Sequence, residues 1–166
     1  MNLGQCHNFS DFRTLAKKRL PGPIFHYIDG AADDEVTYKR NSQSFNDVDL
    51  VPNVLAGVEK VDMSTKIMGQ ELSVPFYCAP TALQRLFHHE GERAVAQAAS
   101  SSGTMFGVSS LATVTVEDIA KISTGPKMFQ FYFHKDRGLN DALLERAKAA
   151  NSVSYTHLTL PTIRMV

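Results

Sequence analysis

MFGVSSLATVTVEDIAKISTGPKMFQFYFHKDRGLNDALLERAKAA, residues 105–150, is the stretch whose reading decides the fold. Met105–Val108 and Met128–Phe133 are short, nearly continuous apolar runs without alternation, the pattern of strands covered on both faces. Between them Val116, Ile119 and Ala120 recur at helical spacing behind a Thr115-x-x-Asp118 capping box. After them Leu139, Leu143, Leu144 and Ala147 set out another helical face.

Upstream the same alternation begins once more. Val74-Pro75-Phe76-Tyr77-Cys78-Ala79 is a third unbroken apolar run, and Val95, Ala98 and Ala99 follow the acidic turn Glu90-Gly91-Glu92 at helical spacing. Three successive β-α units with short joints predict an α/β chain with a parallel sheet. A doubly wound sheet and a barrel both satisfy this pattern. A (β/α)8 barrel typically takes ~250 residues, so neither architecture is complete in 166.

The region before the first unit is different. Ser10 can cap a helix carrying Phe12, Leu15 and Ala16, and Pro21-Gly22-Pro23 ends it. Ile24–Ile28 gives a second helix closing at Asp29-Gly30, and Asp33-Asp34-Glu35 supply the acidic first turn of a third with Val36, Tyr38 and Arg40. Leu50–Val58 is a connector, after which Thr65–Met68 and Glu71–Ser73 flank Gly69-Gln70 as a hairpin. The expected division is therefore a helical extension and connector over 1–64 and a sheet-forming part over 65–150.

Composition bounds the function. Apolar residues make up 43% and charged residues 20%, as in a globular domain, and seventeen basic residues balance seventeen acidic ones. No net field draws the chain toward nucleic acid. No stretch approaches the ~20 apolar residues of a membrane span, and Met1–Lys18 lacks the apolar core of a signal peptide, which predicts a cytoplasmic protein. Cys6 and Cys78 have no CxxC spacing, and Cys78 reads as a buried thiol. His88-His89-Glu90 are adjacent along the chain and do not converge on one ion as i, i+4 histidines do, so no metal is expected. His26 and His134 read as surface or structural residues.

In parallel α/β sheets ligands bind at the carboxyl ends of the strands. Those places are Pro80-Thr81-Ala82, Ser109-Ser110-Leu111, and Gln130 with Tyr132. A Pro-Thr-Ala turn offers little bulk, a serine hydroxyl can bond a ring carbonyl, and a glutamine amide can meet both a donor and an acceptor. Together they suit a flat heteroaromatic ring such as a flavin. The alternative is that Thr81 and Ser109 cap helices and Gln130 is an internally satisfied strand end.

Three segments, PFYCAPTALQRLFHHEGERAVAQAAS, GTMFGVSSLATVTVEDIA and GPKMFQFYFHKDRGLNDALLERAKAA, with the earlier LPGPIFHYIDGAADDE, resemble the FMN-dependent 2-hydroxy-acid dehydrogenase family from about Phe9 to Ala150. The resemblance implies a partial TIM (β/α)8 barrel of about three β-α units behind a helical extension, with FMN at the strand ends. It implies oxidation of an L-2-hydroxy acid to the 2-oxo acid. By the family pattern Pro80, Thr81 and Ala82 line the flavin, Ser109 and Gln130 bond it, and Tyr27 and Tyr132 contact the substrate carboxylate or hydroxyl. Phenols suit that role, since they donate to a carboxylate without adding charge. Leu111 stands where glycolate oxidases carry a bulky aromatic, and SSLATVTVEDIA is more similar to bacterial L-lactate dehydrogenases, which points to L-lactate.

After Ala150 the resemblance lapses. Residues 151–166, NSVSYTHLTLPTIRMV, lack the aspartate of the next family strand, although Leu158–Pro161 mimics it, and they read as a tail of foreign sequence. The flavin-binding lysine, histidine base and substrate-binding arginine of the family have no counterpart. The chain is therefore expected to be a truncated, inactive part of its parent. The parent implied is a homo-oligomer, cytoplasmic or peripheral at the inner face of the cell membrane, passing electrons to a quinone, a cytochrome or oxygen. Two other readings remain open, a different FMN-binding barrel such as an isomerase and a non-catalytic interaction fragment.

Overall fold

The computed structural model describes residues 2–157, residues 153–157 by backbone alone. The chain divides into two units, Met1–Lys60 and Val61–Val166.

The first unit is helical, with α1 (Phe9–Arg19), α2 (Gly22–Asp29) and α3 (Val36–Asn46). The cap of α1 is Asn8, not the expected Ser10: Asn8 is extended and its side chain accepts from the Asp11 N–H at 3.0 Å. Ser10 lies already inside the helix, where its side chain cannot reach a free amide of the first turn. Pro23 falls in the first turn of α2, where its missing N–H costs nothing. The acids 33–35 precede α3 instead of forming its first turn, because Asp33 and Glu35 take left-handed backbone, φ +49° and +59°. Leu15 of α1 and Phe25 of α2 are buried. Arg13 grips Asp29 with both its Nε and Nη2, the latter at 2.8 Å. The guanidinium holds the Asp29 carboxyl below its ordinary range.

The second unit opens with an antiparallel hairpin, β1 (Thr65–Ile67) and β2 (Gln70–Leu72). Its turn is Met68-Gly69, one residue earlier than expected, and both residues have positive φ, +50° and +78°. That is the pairing of a primed turn, whose twist matches the flanking strands. A parallel sheet follows in the order β3 (Phe106–Ser109), β4 (Lys127–Phe131), β5 (Ser152–His157). The intervening helices are α4 (Glu92–Ser101) before β3, α5 (Val116–Ile122) and α6 (Arg137–Ala149).

Side chains on the sheet separate by face. Phe106, Val108, Phe129 and Phe131 pack with Ala96 and Ala99 of α4, Ile119 of α5 and Ala147 of α6 in one buried cluster. Met105 and Met128 instead pack with Leu72 and Ile67 of the hairpin. Both strand faces are thus apolar at the start of each strand, which is why the sequence shows no alternation there. The polar exceptions, Ser109 and Gln130, stand at the carboxyl ends. Each buried phenylalanine contributes ~2–3 kcal/mol of hydrophobic stabilisation.

The run 74–79 departs from its expectation. It lies beside β3 through a single parallel bridge, Cys78 to Phe106, with Cys78 N–H donating to Met105 O at 3.0 Å and Gly107 N–H to Cys78 O at 2.8 Å. Phe76 and Tyr77 are exposed. Pro75 and Pro80 remove ladder donors at both ends, which keeps this edge segment from extending into a strand. The opposite departure is β5, a parallel partner of β4 within the segment read as a tail. The strand mimic Leu158–Pro161 lies outside the described residues.

Candidate functional site at the strand ends

Ser109 and Gln130 are register partners on β3 and β4, and both are buried. Ser109 Oγ donates to Gln130 Oε1 at 3.0 Å and accepts from the Leu111 N–H at 3.1 Å. Ser110 N–H donates to Gln130 O at 2.9 Å, so the backbone after β3 is tied to β4 as well. With its oxygen occupied, Gln130 keeps its amide nitrogen free. Nε2 is buried and has no hydrogen-bond partner among the described residues. Gln130 is therefore not the internally satisfied strand end of the alternative reading.

Pro80 approaches the same place from the edge segment. A Cβ at Gly107 would lie 2.7 Å from Pro80 Cδ and 3.0 Å from Cys78 O, so only glycine lets the two backbones meet. Thr81 O accepts from Gln84 Nε2 at 3.3 Å, and Leu83 N–H donates to Leu111 O at 3.1 Å, joining the loop after the edge segment to the loop after β3. Thr81 and Ala82 are half-buried. Burial pushes the Cys78 thiol up, which leaves it protonated and unreactive at neutral pH.

Tyr132 directly follows β4 and is half-buried. The turn beyond it is closed by Asn140 of α6, which accepts from His134 N–H and donates to His134 O, both at 2.9 Å. Tyr27 is carried on α2 of the first unit, 57% exposed. Pro80, Ser109 and Gln130 are thus brought together, Thr81 and Ala82 sit in the adjoining loop, and Tyr27 belongs to the separate helical unit.

Two residues that the sequence reading did not single out organise these loops. Asn140 is one, and the other is Glu92, fully buried at the start of α4. Their signal in the sequence is faint: Glu92 stands in an acidic helix start, an ordinary solvated position, and Asn140 in a helix read only for its leucines. The arrangement can bind and orient a flat polar ligand.

Parallel strands that deliver an uncommitted amide donor and a serine to their carboxyl ends define a ligand-binding α/β sheet. The comparisons narrow that class to one family. The model of the FMN-dependent dehydrogenase family matches residues 16–162, and the chain belongs to this family. The match takes in most of residues 151–166. Glycolate oxidase 1 of Oryza sativa subsp. indica is 37% identical over 163 residues, 98% of this chain and 44% of its own length. Glycolate oxidase of Spinacia oleracea is 37% identical over 158 residues, 95% of this chain and 42% of its own length. Among solved structures, a Pediococcus acidilactici protein assigned as a lactate oxidase superposes with a TM-score of 0.85 at 32% identity, covering 92% of this chain and 43% of that one. A mandelate oxidase superposes with a TM-score of 0.81 at 32% identity, covering 89% and 44%. The chain spans less than half the length of the curated relatives it matches.

FMN is the cofactor of this family. The strand ends fit it: the flavin ring edge presents acceptor atoms, and Gln130 Nε2 is a buried donor that lacks one.

Proposed function

We propose that this chain supplies the first part of an FMN-binding (β/α)8 barrel whose parent oxidises an L-2-hydroxy acid, most specifically L-lactate, to the 2-oxo acid. The observation that carries the reading is the uncommitted Gln130 Nε2, buried beside Ser109 at the strand ends. In this reading Gln130 and Ser109 bond the flavin ring, and Pro80, Thr81 and Ala82 form the turn along it. Bound FMN supplies the two-electron acceptor for the hydroxyl-bearing carbon. Tyr132 and Tyr27 donate to the substrate carboxylate or hydroxyl. Leu111, half-exposed in the loop after β3, leaves room beside the substrate and favours lactate over the smaller glycolate.

Turnover is assigned to the longer parent, because the base and the carboxylate-binding cation that the reaction requires have no counterpart here. The helical extension 1–64 and the barrel portion from 65 onward are the working divisions, the latter continuing past Ala150 through β5. The parent is placed in the cytoplasm or at the inner face of the membrane, as a homo-oligomer that passes electrons to a quinone, a cytochrome or oxygen. Among the described residues no helix is long and apolar enough to cross a membrane.

The test is a titration of the 166-residue chain with FMN by fluorescence quenching, beside a parent completed from its own locus and assayed with L-lactate, glycolate and mandelate by dye reduction. FMN binding and preferential turnover of L-lactate by the parent support the proposal. A parent that binds FMN and oxidises none of the three acids refutes it in favour of another flavin-dependent barrel.

A further inference from the structure

We infer that Glu92 is a positioning residue that clasps together the two loops bordering the candidate flavin site. Glu92 is fully buried at the first position of α4 and has no ion pair among the described residues. Its carboxylate is held by donors from two separate loops. Oε1 accepts from Gln84 N–H at 3.2 Å, in the loop that continues Pro80-Thr81-Ala82, and from Thr113 N–H at 2.8 Å, in the loop that continues Ser109-Ser110-Leu111. Oε2 accepts from Thr113 Oγ1–H at 2.6 Å, and that same hydroxyl accepts from Arg85 N–H at 3.2 Å. One side chain thus accepts three hydrogen bonds, and the Thr113 hydroxyl that gives it the third relays a fourth to Arg85, all supported by the partial positive charge of the α4 N-terminus.

The approach is tight enough to need a special neighbour. Gly91 has φ +53°, and a Cβ there would lie 2.5 Å from Arg85 Cγ. A buried carboxylate without a cation is costly unless hydrogen bonds repay its lost hydration. Here every donor that repays it comes from the two loops. Removing the carboxylate should therefore release both loops at once, and with them the spacing between Pro80–Ala82 and Ser109–Leu111.

The inference that this spacing serves FMN rests on the functional reading above; the clasp itself does not. The experiment compares the unsubstituted chain with Glu92→Ala, Glu92→Gln and Thr113→Val by site-resolved amide exchange and by FMN titration. In Glu92→Ala, exchange at Gln84, Arg85 and Thr113 should rise together by about tenfold or more, the loss of charge-assisted bonds, while α6 amides stay protected. Glu92→Gln, whose Oε1 still accepts both N–H groups, should restore most of the protection and of the FMN affinity. Thr113→Val should expose the Arg85 amide alone. Release of one loop without the other, or an equal rise throughout α5 and α6, overturns the clasp. Loosened loops with unchanged FMN affinity overturn its positioning role. Absence of FMN binding by both the unsubstituted chain and the completed parent overturns the functional reading and the positioning role with it, while exchange still decides the clasp.

Discussion

The Gln130 amide has one end bonded and one end bare, and the two ends make opposite demands on a substitution. In Gln130→Leu the Ser109 hydroxyl loses its acceptor, which should lower stability by ~1–3 kcal/mol in chemical denaturation. Adding Ser109→Ala removes the stranded donor but also the acceptor of the Leu111 N–H, so the double variant should recover only part of that loss and still bind FMN more weakly than the unsubstituted chain. Recovery of flavin affinity in the double variant would exclude Gln130 from the site. Gly107→Ala tests the close approach of Pro80 to β3: it should cost ~1–3 kcal/mol by forcing the edge segment outward, read as a lowered denaturation midpoint. The placement of Ser109 and Gln130 at the ends of β3 and β4 was legible in the sequence because each is a polar side chain that interrupts or closes an apolar run. Glu92 was not, since an acidic residue at a helix start is ordinarily solvated, and its burial depends on loops that sequence does not place.

At the scale of elements, the helices and the parallel runs were legible from periodicity and capping, and the errors lie where local chemistry is shared between candidates. Asn8 and Ser10 are both capping residues two positions apart, and only the backbone decides between them. The run 74–79 has the composition of a central strand, yet its prolines confine it to one bridge. β5 escaped because Ser152–His157 lacks the apolar density of β3 and β4. The pairing of α1 and α2 carries a pH dependence. Arg13 depresses Asp29 below its unfolded value of ~3.9. Its contribution is therefore complete above that value and is lost as pH falls through the lower folded value. Chemical shifts of α1 and α2 residues followed from pH 7 to 2 should show their packing loosen in that acid range. Asp29→Asn should remove the transition, and its persistence would assign the loosening to another group.

For the molecule as a whole, the apolar surface left in view is the main expectation about behaviour. Leu50, Val51, Val54 and Leu55 of the connector are 83–101% exposed, and the edge segment shows Phe76 and Tyr77 to solvent. Surfaces of this kind drive association. The purified chain should run as concentration-dependent oligomers in sedimentation velocity, and a monodisperse monomer with one cooperative thermal transition would contradict this. Family membership was legible because the matching segments are long and in order; substrate choice was not, because it turns on side-chain volume around a ring that the sequence alone does not position. The register of β3 with β4 also bears on how the chain is made. Ser109 meets Gln130, 21 positions further along the chain, only after the intervening helix has been synthesised, and the next strand waits on another helix in turn. During translation each emerging strand can pair with its predecessor while its other edge stays open until its successor leaves the ribosome, an order of assembly that exposes a growing edge to chaperones or to misassociation at every step.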